Sequence, residues 1–290
     1  MKNNNKRQKI VILGHTGFLG NCLYENFRED PRYEIHGFSS ADINLSLPEE
    51  CLKLMSIIDK DATVIMTATS LIKNKDFISF RKDLDMLNNL AEILLLIGAK
   101  HLIYISSIAI YGRRSESAII ESSYPNHDDF YSLSKLWGEQ VFRCICCDSN
   151  IPLTTLRSGT IYGRGDNRSP FFRFFKRIKN GENIEIYGDG SSKLFWAHKM
   201  DLYRIVQSVI AGRKFGDYNI VAEGNGISLS KLAESTFRVC GRETKIKFIP
   251  SAKTPINLRF DTSKLKFCFP EIGFIRLEDG LKEYLDKEVG

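Results

Sequence analysis

A tyrosine and a lysine stand four residues apart in the stretch YSLSK, at Tyr131 and Lys135. On a helix, residues i and i+4 share a face, so both side chains would point the same way. A free phenol has a pKa of about 10, and a lysine cation beside it lowers that pKa. The phenol could then exchange the proton that accompanies hydride transfer at a carbonyl. Taken alone, the spacing is typical of an exposed helical pair, so its interpretation depends on what precedes it.

A serine precedes the two residues at the end of a predicted strand. The segment HLIYISS is typical of a buried strand, and Ser107 is its last residue. A doubly wound sheet presents side chains to its ligand at the carboxyl ends of its strands. We therefore expect Ser107 to meet Tyr131 and Lys135 at one site and to hold the same substrate oxygen.

Three glycines, at Gly14, Gly17 and Gly20, follow the apolar run KIVILG and precede a segment with helical apolar spacing. The run is typical of a buried parallel strand. A tight turn from strand to helix needs glycine so that the backbone can approach a pyrophosphate, and the helix N-terminus supplies unpaired N–H groups. The position of the glycines predicts a dinucleotide-binding turn.

The second predicted strand, YEIHGFS, bears on the choice between NAD and NADP. It ends at Ser39 and Ser40 without the carboxylate that would bind the ribose 2′-hydroxyl of NAD. Glu34 comes too early for that role and Asp42 too late. The two hydroxyls could instead meet a 2′-phosphate, although no Arg or Lys follows to neutralise it. These residues favour NADP and leave NAD open.

Strand and helix patterns alternate as far as Gly163, which predicts an α/β fold with a Rossmann-like doubly wound parallel sheet. Beyond that point short strands and helices mix, and FFRFFKRIK is typical of an amphipathic helix with a basic face. We predict a flexible leader over 1–9, a dinucleotide-binding domain over 10–162, and a smaller C-terminal substrate lobe over 163–290, partly interleaved with the sheet. Further helices are predicted over ECLKLMSIID, LDMLNNLAEILLLIG (ended by Gly98) and FYSLSKLWGEQVFRCICC, and further strands over ATVIMTAT and IPLTTLRSGTIYG.

The composition is typical of a globular protein, with 43% hydrophobic and 26% charged residues. The longest apolar run is too short to span a bilayer, and the basic N-terminus lacks the features of a signal peptide. The seven cysteines favour reduced thiols over a metal site, because the CICC segment lacks nearby histidines at metal-ligand spacing. We predict a cytoplasmic protein with no metal, no membrane partner and no nucleic-acid partner.

Five segments, in order, resemble the NAD-dependent epimerase/dehydratase family of extended short-chain dehydrogenases/reductases. GHTGFLG resembles the family's GxxGxxG, SSIAIYG its serine segment, YSLSK its YxxxK, LRSGTIYG the segment after its sixth strand, and IEIYGDGSSKLFWAHKMDL its second-lobe segment. The resemblance implies a nicotinamide cofactor, a nucleotide-diphospho-sugar substrate, and a homodimer. It also implies catalytic roles for Ser107, Tyr131 and Lys135.

The resemblance further implies which residues contact each ligand. The pair Asp42 and Ile43 would lie against the adenine, as in compact sugar-nucleotide 4-keto-reductases. Substrate contacts would come from Ser107, Thr160 and Lys193. The implied cofactor site consists of Gly14, Thr16, Gly17, Phe18, Leu19, Gly20, Ser39, Ser40, Asp42, Ile43, Ala68, Tyr131 and Lys135.

Departures from the family pattern separate the candidate functions. Ile108 and Ala109 stand where 4,6-dehydratases carry the acids needed for elimination, Asp83 stands where an Asn is common, and Leu194 where an Arg usually meets the substrate pyrophosphate. The sequence favours reduction of a 4-keto sugar nucleotide with Tyr131 as proton donor. A nucleotide-sugar 4-epimerase remains an alternative. So does a non-catalytic member of the fold that senses dinucleotides or binds RNA.

Overall fold

The computed structural model of the chain describes residues 7–70 and 76–285. Of the predicted leader over 1–9, residues 1–6 lie outside the described residues. Gln8 and Lys9 already belong to the first strand, so the leader prediction is wrong for these two. The Lys9 ammonium pairs with the Asp59 carboxylate at 2.5 Å, which holds the start of that strand against the chain before the third strand.

Strands and helices alternate through most of the described chain. The strands are β1 Gln8–Leu13, β2 Tyr33–Phe38, β3 Thr63–Met66, β4 His101–Ser107, β5 Leu153–Ser158, β6 Thr160–Tyr162, β7 Ile184–Tyr187, β8 Lys193–Leu194, β9 Trp196–His198, β10 Gly216–Ile220, β11 Ile227–Ser228 and β12 Ile246–Ile249. The helices are α1 Phe18–Arg28, α2 Pro48–Cys51, α3 Phe77–Ile97, α4 Phe130–Asp148, α5 Pro170–Lys179, α6 Lys199–Gly212, α7 Leu229–Cys240, α8 Ser263–Cys268 and α9 Leu277–Lys282.

A six-stranded sheet with the order β10-β5-β4-β3-β1-β2 forms the centre of the α/β architecture. Strand β1 pairs in parallel with both β2 and β3, and β3 pairs in parallel with β4. Every residue of β3 and β4 is buried, as expected for apolar strands covered by helices on both faces. The predicted Rossmann-like fold class is confirmed.

Local signals fix the ends of the two long helices beside the site. Asp76 caps α3 by accepting the Ser79 N–H, and Gly98, with φ of 73°, ends it as predicted. In α4, the Asp129 carboxylate and the Ser132 side chain form a reciprocal capping box. Both helices therefore begin where a short polar side chain precedes an apolar run.

Two predicted elements differ in the structure. The segment ECLKLMSIID is not one α-helix: α2 ends at Cys51 and a 3₁₀ helix, Leu52–Ser56, follows. Only Cys51 and Leu54 within these two helices are buried, which is too little packing to sustain a longer helix. The segment IPLTTLRSGTIYG forms two strands, because the backbone changes partner at Gly159: the Gly159 N–H donates to the Ile220 carbonyl oxygen and the Thr160 N–H to the Phe195 carbonyl oxygen.

The chain divides into two compact units. The first comprises the described residues up to 110 together with 125–157 and 206–218, and it holds most of the large sheet. The second comprises 111–124, 158–205 and the described residues from 219 onward. Its core includes phenylalanines of α5, while Arg173, Lys176 and Lys179 of that helix are exposed, as the sequence pattern predicts.

Candidate active site

The first unit positions Ser107, Tyr131 and Lys135 on two neighbouring elements. Ser107 is the last residue of β4, and Tyr131 is the second residue of α4. The Asp129 carboxylate accepts the Ser132 N–H at 2.7 Å, so the helix begins immediately before Tyr131. The capping box thereby fixes the helical register of Tyr131 and Lys135, which we call the tyrosine–lysine pair.

The structure brings these three side chains together. The Ser107 hydroxyl is hydrogen-bonded to the Tyr131 phenol. The Lys135 Nζ atom lies 5.9 Å from the centre of the Tyr131 ring and donates to the Ile105 carbonyl oxygen at 2.9 Å. It also lies 5.3 Å from the centre of the Tyr104 ring on β4. A phenol, a hydroxyl and an ammonium group therefore meet at the carboxyl end of a central strand.

Burial shifts the pKa of both members of the tyrosine–lysine pair. Desolvation raises the pKa of Tyr131, and the hydrogen bond with Ser107 opposes this rise. Desolvation lowers the pKa of Lys135 to about 8, although the Asp83 and Glu139 carboxylates oppose this change. In the chain by itself the net shift of the Tyr131 pKa is therefore upward, and a lowering by Lys135 together with the nicotinamide charge stays a prediction. At neutral pH the phenol keeps its proton and can donate it.

The turn that holds Gly14, Gly17 and Gly20 is packed too closely for a side chain at Gly14 or Gly20. Gly14 has φ of 94°, and a Cβ on it would lie 2.8 Å from the Ala68 nitrogen. A Cβ on Gly20 would collide with the Gly14 carbonyl oxygen. Gly17 is the N-cap of α1 and supplies no side-chain cap. A helix N-terminus without a side-chain cap, next to a closely packed backbone turn, suits the pyrophosphate of a dinucleotide.

The chain after β2 folds an acid back to the end of that strand. The Asp42 carboxylate accepts the Ser39 N–H at 2.8 Å and the Ser39 hydroxyl at 2.6 Å. These hydrogen bonds hold the pKa of Asp42 below its ordinary value. A turn in which the Asp42 N–H donates to the Ser39 carbonyl oxygen thus brings this acid beside the end of β2, and its role at the ribose stays a prediction.

The remaining predicted cofactor residues differ in accessibility. Ile43 is 4% exposed and packs in the core, so its side chain is covered within the chain. Leu19 is also buried. Thr16 and Ser40 are exposed, and Phe18 and Ala68 are half-buried. Their roles stay predictions.

The two substrate residues predicted outside the first unit lie on strands of the second. The Thr160 N–H donates to the Phe195 carbonyl oxygen at 2.7 Å and the residue is half-buried. The Lys193 Nζ atom donates to the Leu258 carbonyl oxygen at 3.4 Å. Contacts of either residue with a substrate stay predictions.

A buried ion pair behind Ser107 was missed by the sequence interpretation. Glu139 is fully buried, accepts from Arg157 Nη2 at 2.7 Å and Nε at 3.0 Å, and accepts the Ser106 hydroxyl at 2.5 Å. It joins α4 to β4 and β5. The spacing of Glu139 four residues after Lys135 could have placed it on the face that meets the sheet.

No group of three His, Cys, Asp or Glu residues suited to a metal ion occurs in the part of the chain that the structure describes. Within the CICC segment, Cys146 is buried, and burial raises its pKa to about 12. Cys144 and Cys147 are exposed thiols. Over the described residues, no helix is both long and apolar enough to cross a bilayer.

A known protein family matches the part of the chain that contains this site. The model of the NAD dependent epimerase/dehydratase family matches residues 10–221. The chain belongs to this family. That range includes the glycine turn, Ser107 and the tyrosine–lysine pair. The predicted family is thereby confirmed, and it is a family of enzymes that use a nicotinamide dinucleotide.

Curated relatives of this family member have different activities. The chain is 31% identical over 128 residues to dTDP-4-dehydro-6-deoxy-D-allose reductase of Streptomyces bikiniensis, covering 42% of this chain and 39% of that protein. It is 27% identical over 207 residues to UDP-glucuronate 4-epimerase of Thermodesulfobacterium geofontis, covering 67% of this chain and 61% of that protein. The matched region therefore covers well under half the length of that reductase.

Solved structures confirm the fold over nearly the whole chain. UDP-glucose 4-epimerase of Thermus thermophilus, in complex with NAD, superposes with a TM-score of 0.84 at 17% identity and covers 96% of this chain and 98% of that one. UDP-glucuronic acid 4-epimerase of Bacillus cereus gives the same TM-score at 21% identity, with the same coverage. Identities this low establish the shared fold alone.

Proposed function

We propose that this family member reduces the 4-keto group of a nucleotide-diphospho-sugar. The observation that carries the proposal is the Tyr131 phenol, hydrogen-bonded to Ser107 and protonated at neutral pH. Reduction of a carbonyl requires a proton donor beside the oxygen, and a protonated phenol is that donor. The reductase named among the relatives and the absence of dehydratase acids at Ile108 and Ala109 support the same reaction.

Each of the three residues has one role in this reaction. A nicotinamide dinucleotide held at the glycine turn would supply the hydride for C4. Tyr131 donates its proton to the oxygen that becomes the 4-hydroxyl, and the Ser107 hydroxyl donates a hydrogen bond to that oxygen. The Lys135 ammonium stabilises the phenolate left on Tyr131. We keep Thr160 and Lys193 as proposed substrate contacts.

We infer that the cofactor is NAD and not the NADP favoured by the sequence. The Asp42 carboxylate is hydrogen-bonded to the Ser39 backbone and hydroxyl at the end of β2. A carboxylate there suits a ribose 2′-hydroxyl, whereas a 2′-phosphate would meet a like charge. Among the described residues, Asp42 forms no ion pair that would neutralise it.

A 4-epimerase is the second candidate, because the UDP-glucuronate epimerase among the relatives matches a longer part of the chain than the reductase does. In that reaction Tyr131 would first accept the proton of the 4-hydroxyl and later return it. The third alternative, a non-catalytic protein that senses dinucleotides or binds RNA, does not need Ser107, Tyr131 and Lys135 to meet.

Cofactor content and turnover separate these candidates. The purified protein is denatured, and any released nucleotide is identified by absorbance and mass. It is then given NADH or NADPH with a dTDP-4-keto-6-deoxyhexose, and oxidation of the cofactor is followed by its absorbance. Retained NAD with interconversion of UDP-sugars would support the epimerase, and oxidation of NADH that needs the keto sugar supports the reductase.

Substitution of the tyrosine tests its role. Tyr131→Phe should lower kcat by about 10²–10⁴-fold, the usual contribution of a general acid, and should spare cofactor binding. Tyr187→Phe is the matched control, because Tyr187 is 65% exposed on β7 and should retain full activity. Retention of most activity by Tyr131→Phe would contradict the proposed mechanism.

We also propose that the protein forms a homodimer through α3 and α4. The Trp137 indole N–H donates to Asn88 Oδ1 at 3.0 Å and links the two helices, yet the residue is 43% exposed. Leu95 lies two turns beyond Asn88 on α3 and is 48% exposed. A second copy covering these apolar side chains would remove them from water. Light scattering coupled to gel filtration should give the mass of a dimer, and Leu95→Glu should reduce it.

A further inference from the structure

Two buried side chains of β4 contact α4 directly behind the active site. Side chains alternate along a strand, so Tyr104 and Ser106 share the face of β4 that meets the helix. A Cβ on Gly138 would lie 2.5 Å from the Tyr104 Oη atom, so the helix lies directly on the strand at this glycine. Ser106 is 1% exposed, and its hydroxyl donates to Glu139 Oε1 at 2.5 Å. The Ser106–Glu139 hydrogen bond therefore connects the strand to the helix.

A second hydrogen bond joins the same two elements one residue earlier on β4 and one turn earlier on α4. The Lys135 Nζ atom donates to the Ile105 carbonyl oxygen at 2.9 Å, and Lys135 is 5% exposed. Lys135 precedes Glu139 by four residues, so their side chains lie on the same face of the helix. Ile105 and Ser106 are successive residues of the strand. A change in one of the two hydrogen bonds therefore displaces the other.

Stability alone is a poor explanation for the buried Glu139 carboxylate. Glu139 is fully buried, and its Oε2 atom accepts from Arg157 Nη2 at 2.7 Å. A buried ion pair often stabilises a fold no better than apolar residues of similar volume, because both charges must be desolvated. What such a pair can add is a fixed geometry, since its directional bonds hold the carboxylate in one place. Arg157 thus holds Glu139 where the Ser106 hydroxyl meets it.

We propose that Ser106 is a positioning residue whose hydrogen bond with Glu139 sets the register of α4 on β4 and thereby places the Lys135 ammonium. The proposal rests on the proposed function, in which that ammonium stabilises the phenolate left on Tyr131. Because Ser107 is the next residue of β4, the same hydrogen bond also fixes the strand end that carries the Ser107 hydroxyl. Ser106 acts through these neighbours, since its own hydroxyl is directed at the helix.

Ser106→Ala removes the hydroxyl and leaves the Glu139–Arg157 ion pair in place. With NADH and a dTDP-4-keto-6-deoxyhexose, kcat should fall about tenfold or more, since a misplacement of about 1 Å can cost about 10²-fold. KM for the sugar and the affinity for NADH should stay within about twofold of wild type, because no contact with either ligand is removed. Thr155→Val is the matched control and should keep full activity. Thr155 is fully buried on the neighbouring strand β5, and its hydroxyl has no hydrogen-bond partner among the described residues.

Crystal structures of wild type and Ser106→Ala without sugar keep this test separate from that of the proposed function. In the variant, the Lys135 Nζ atom should lie beyond hydrogen-bond reach of the Ile105 carbonyl oxygen, more than about 3.5 Å away instead of 2.9 Å. This comparison decides the inference even if no keto sugar is turned over. An unchanged distance, or a loss of kcat that Thr155→Val shares, would overturn it. If Ser106→Ala did not fold, Ser106 would be a structural residue and the inference would be wrong.

Discussion

Replacement of Glu139 by Gln should be among the most destabilising conservative changes in the first unit. The substitution leaves the Arg157 guanidinium, which is 5% exposed, without the carboxylate that binds it at 2.7 Å. Removing one partner of a buried ion pair typically costs about 3–5 kcal/mol. Asp217 also contacts Arg157, at 3.1 Å, and remains as a partial partner. We therefore expect a loss of about 3 kcal/mol, at the lower end of that range.

Thermal unfolding measures this loss directly. For a domain of this size a destabilisation of about 3 kcal/mol lowers Tm by about 6 °C or more. Glu92→Gln is the matched control, because Glu92 is exposed on α3 and its replacement should change stability by less than about 0.5 kcal/mol. The double variant Glu139→Gln/Arg157→Met should recover stability relative to Glu139→Gln, since no unpaired charge is then buried.

A small effect would refute the reasoning about this ion pair. If Glu139→Gln lowered Tm no more than Glu92→Gln, the Arg157 charge would be solvated or fully held by Asp217. If the double variant were less stable than Glu139→Gln, the guanidinium would contribute through packing and not through its charge.

Three further predictions concern the turn, the cofactor and pH. Gly20→Ala should weaken NAD binding at least tenfold in a fluorescence titration, because the new methyl would collide with the Gly14 carbonyl oxygen. Asp42→Asn should raise the ratio of NADPH to NADH affinity; an unchanged ratio would contradict the assignment of NAD. Burial lowers the pKa of His101 to about 4, so the unfolded chain binds the proton first, and stability should fall by roughly 3 kcal/mol between pH 6.5 and 4. The fall in the free energy of unfolding between the two pH values, measured by urea titration, should be smaller in His101→Gln and unchanged in His127→Asn.

Much of the site could be predicted because its signals are local in the chain. The glycines at 14, 17 and 20 lie between a β-branched run and a helical run, and both elements form as expected. Tyr131 and Lys135 share a helical face by their spacing alone. The position of Ser107 at the site could be predicted because strands of such a sheet present ligand-binding side chains at their carboxyl ends.

What could not be predicted depends on contacts between distant segments. The turn that brings Asp42 back to Ser39 is a local feature. A role for Asp42 at the cofactor could be proposed only once the end of β2 was placed in the sheet. Glu139 and Arg157 each resemble ordinary charged surface residues until α4 packs on β5. The chain also passes into the second unit at 111–124 and returns at 125, a crossing with no mark in composition.

The electrostatics of the site connect its two candidate reactions to one variable, the charge of the nicotinamide. Reduced nicotinamide is neutral and would leave in place the raised pKa that desolvation gives the Tyr131 phenol. Oxidised nicotinamide carries a positive charge, which favours phenolate and therefore a proton acceptor. Under the proposed function, the same three side chains would therefore donate a proton beside reduced nicotinamide and accept one beside oxidised nicotinamide.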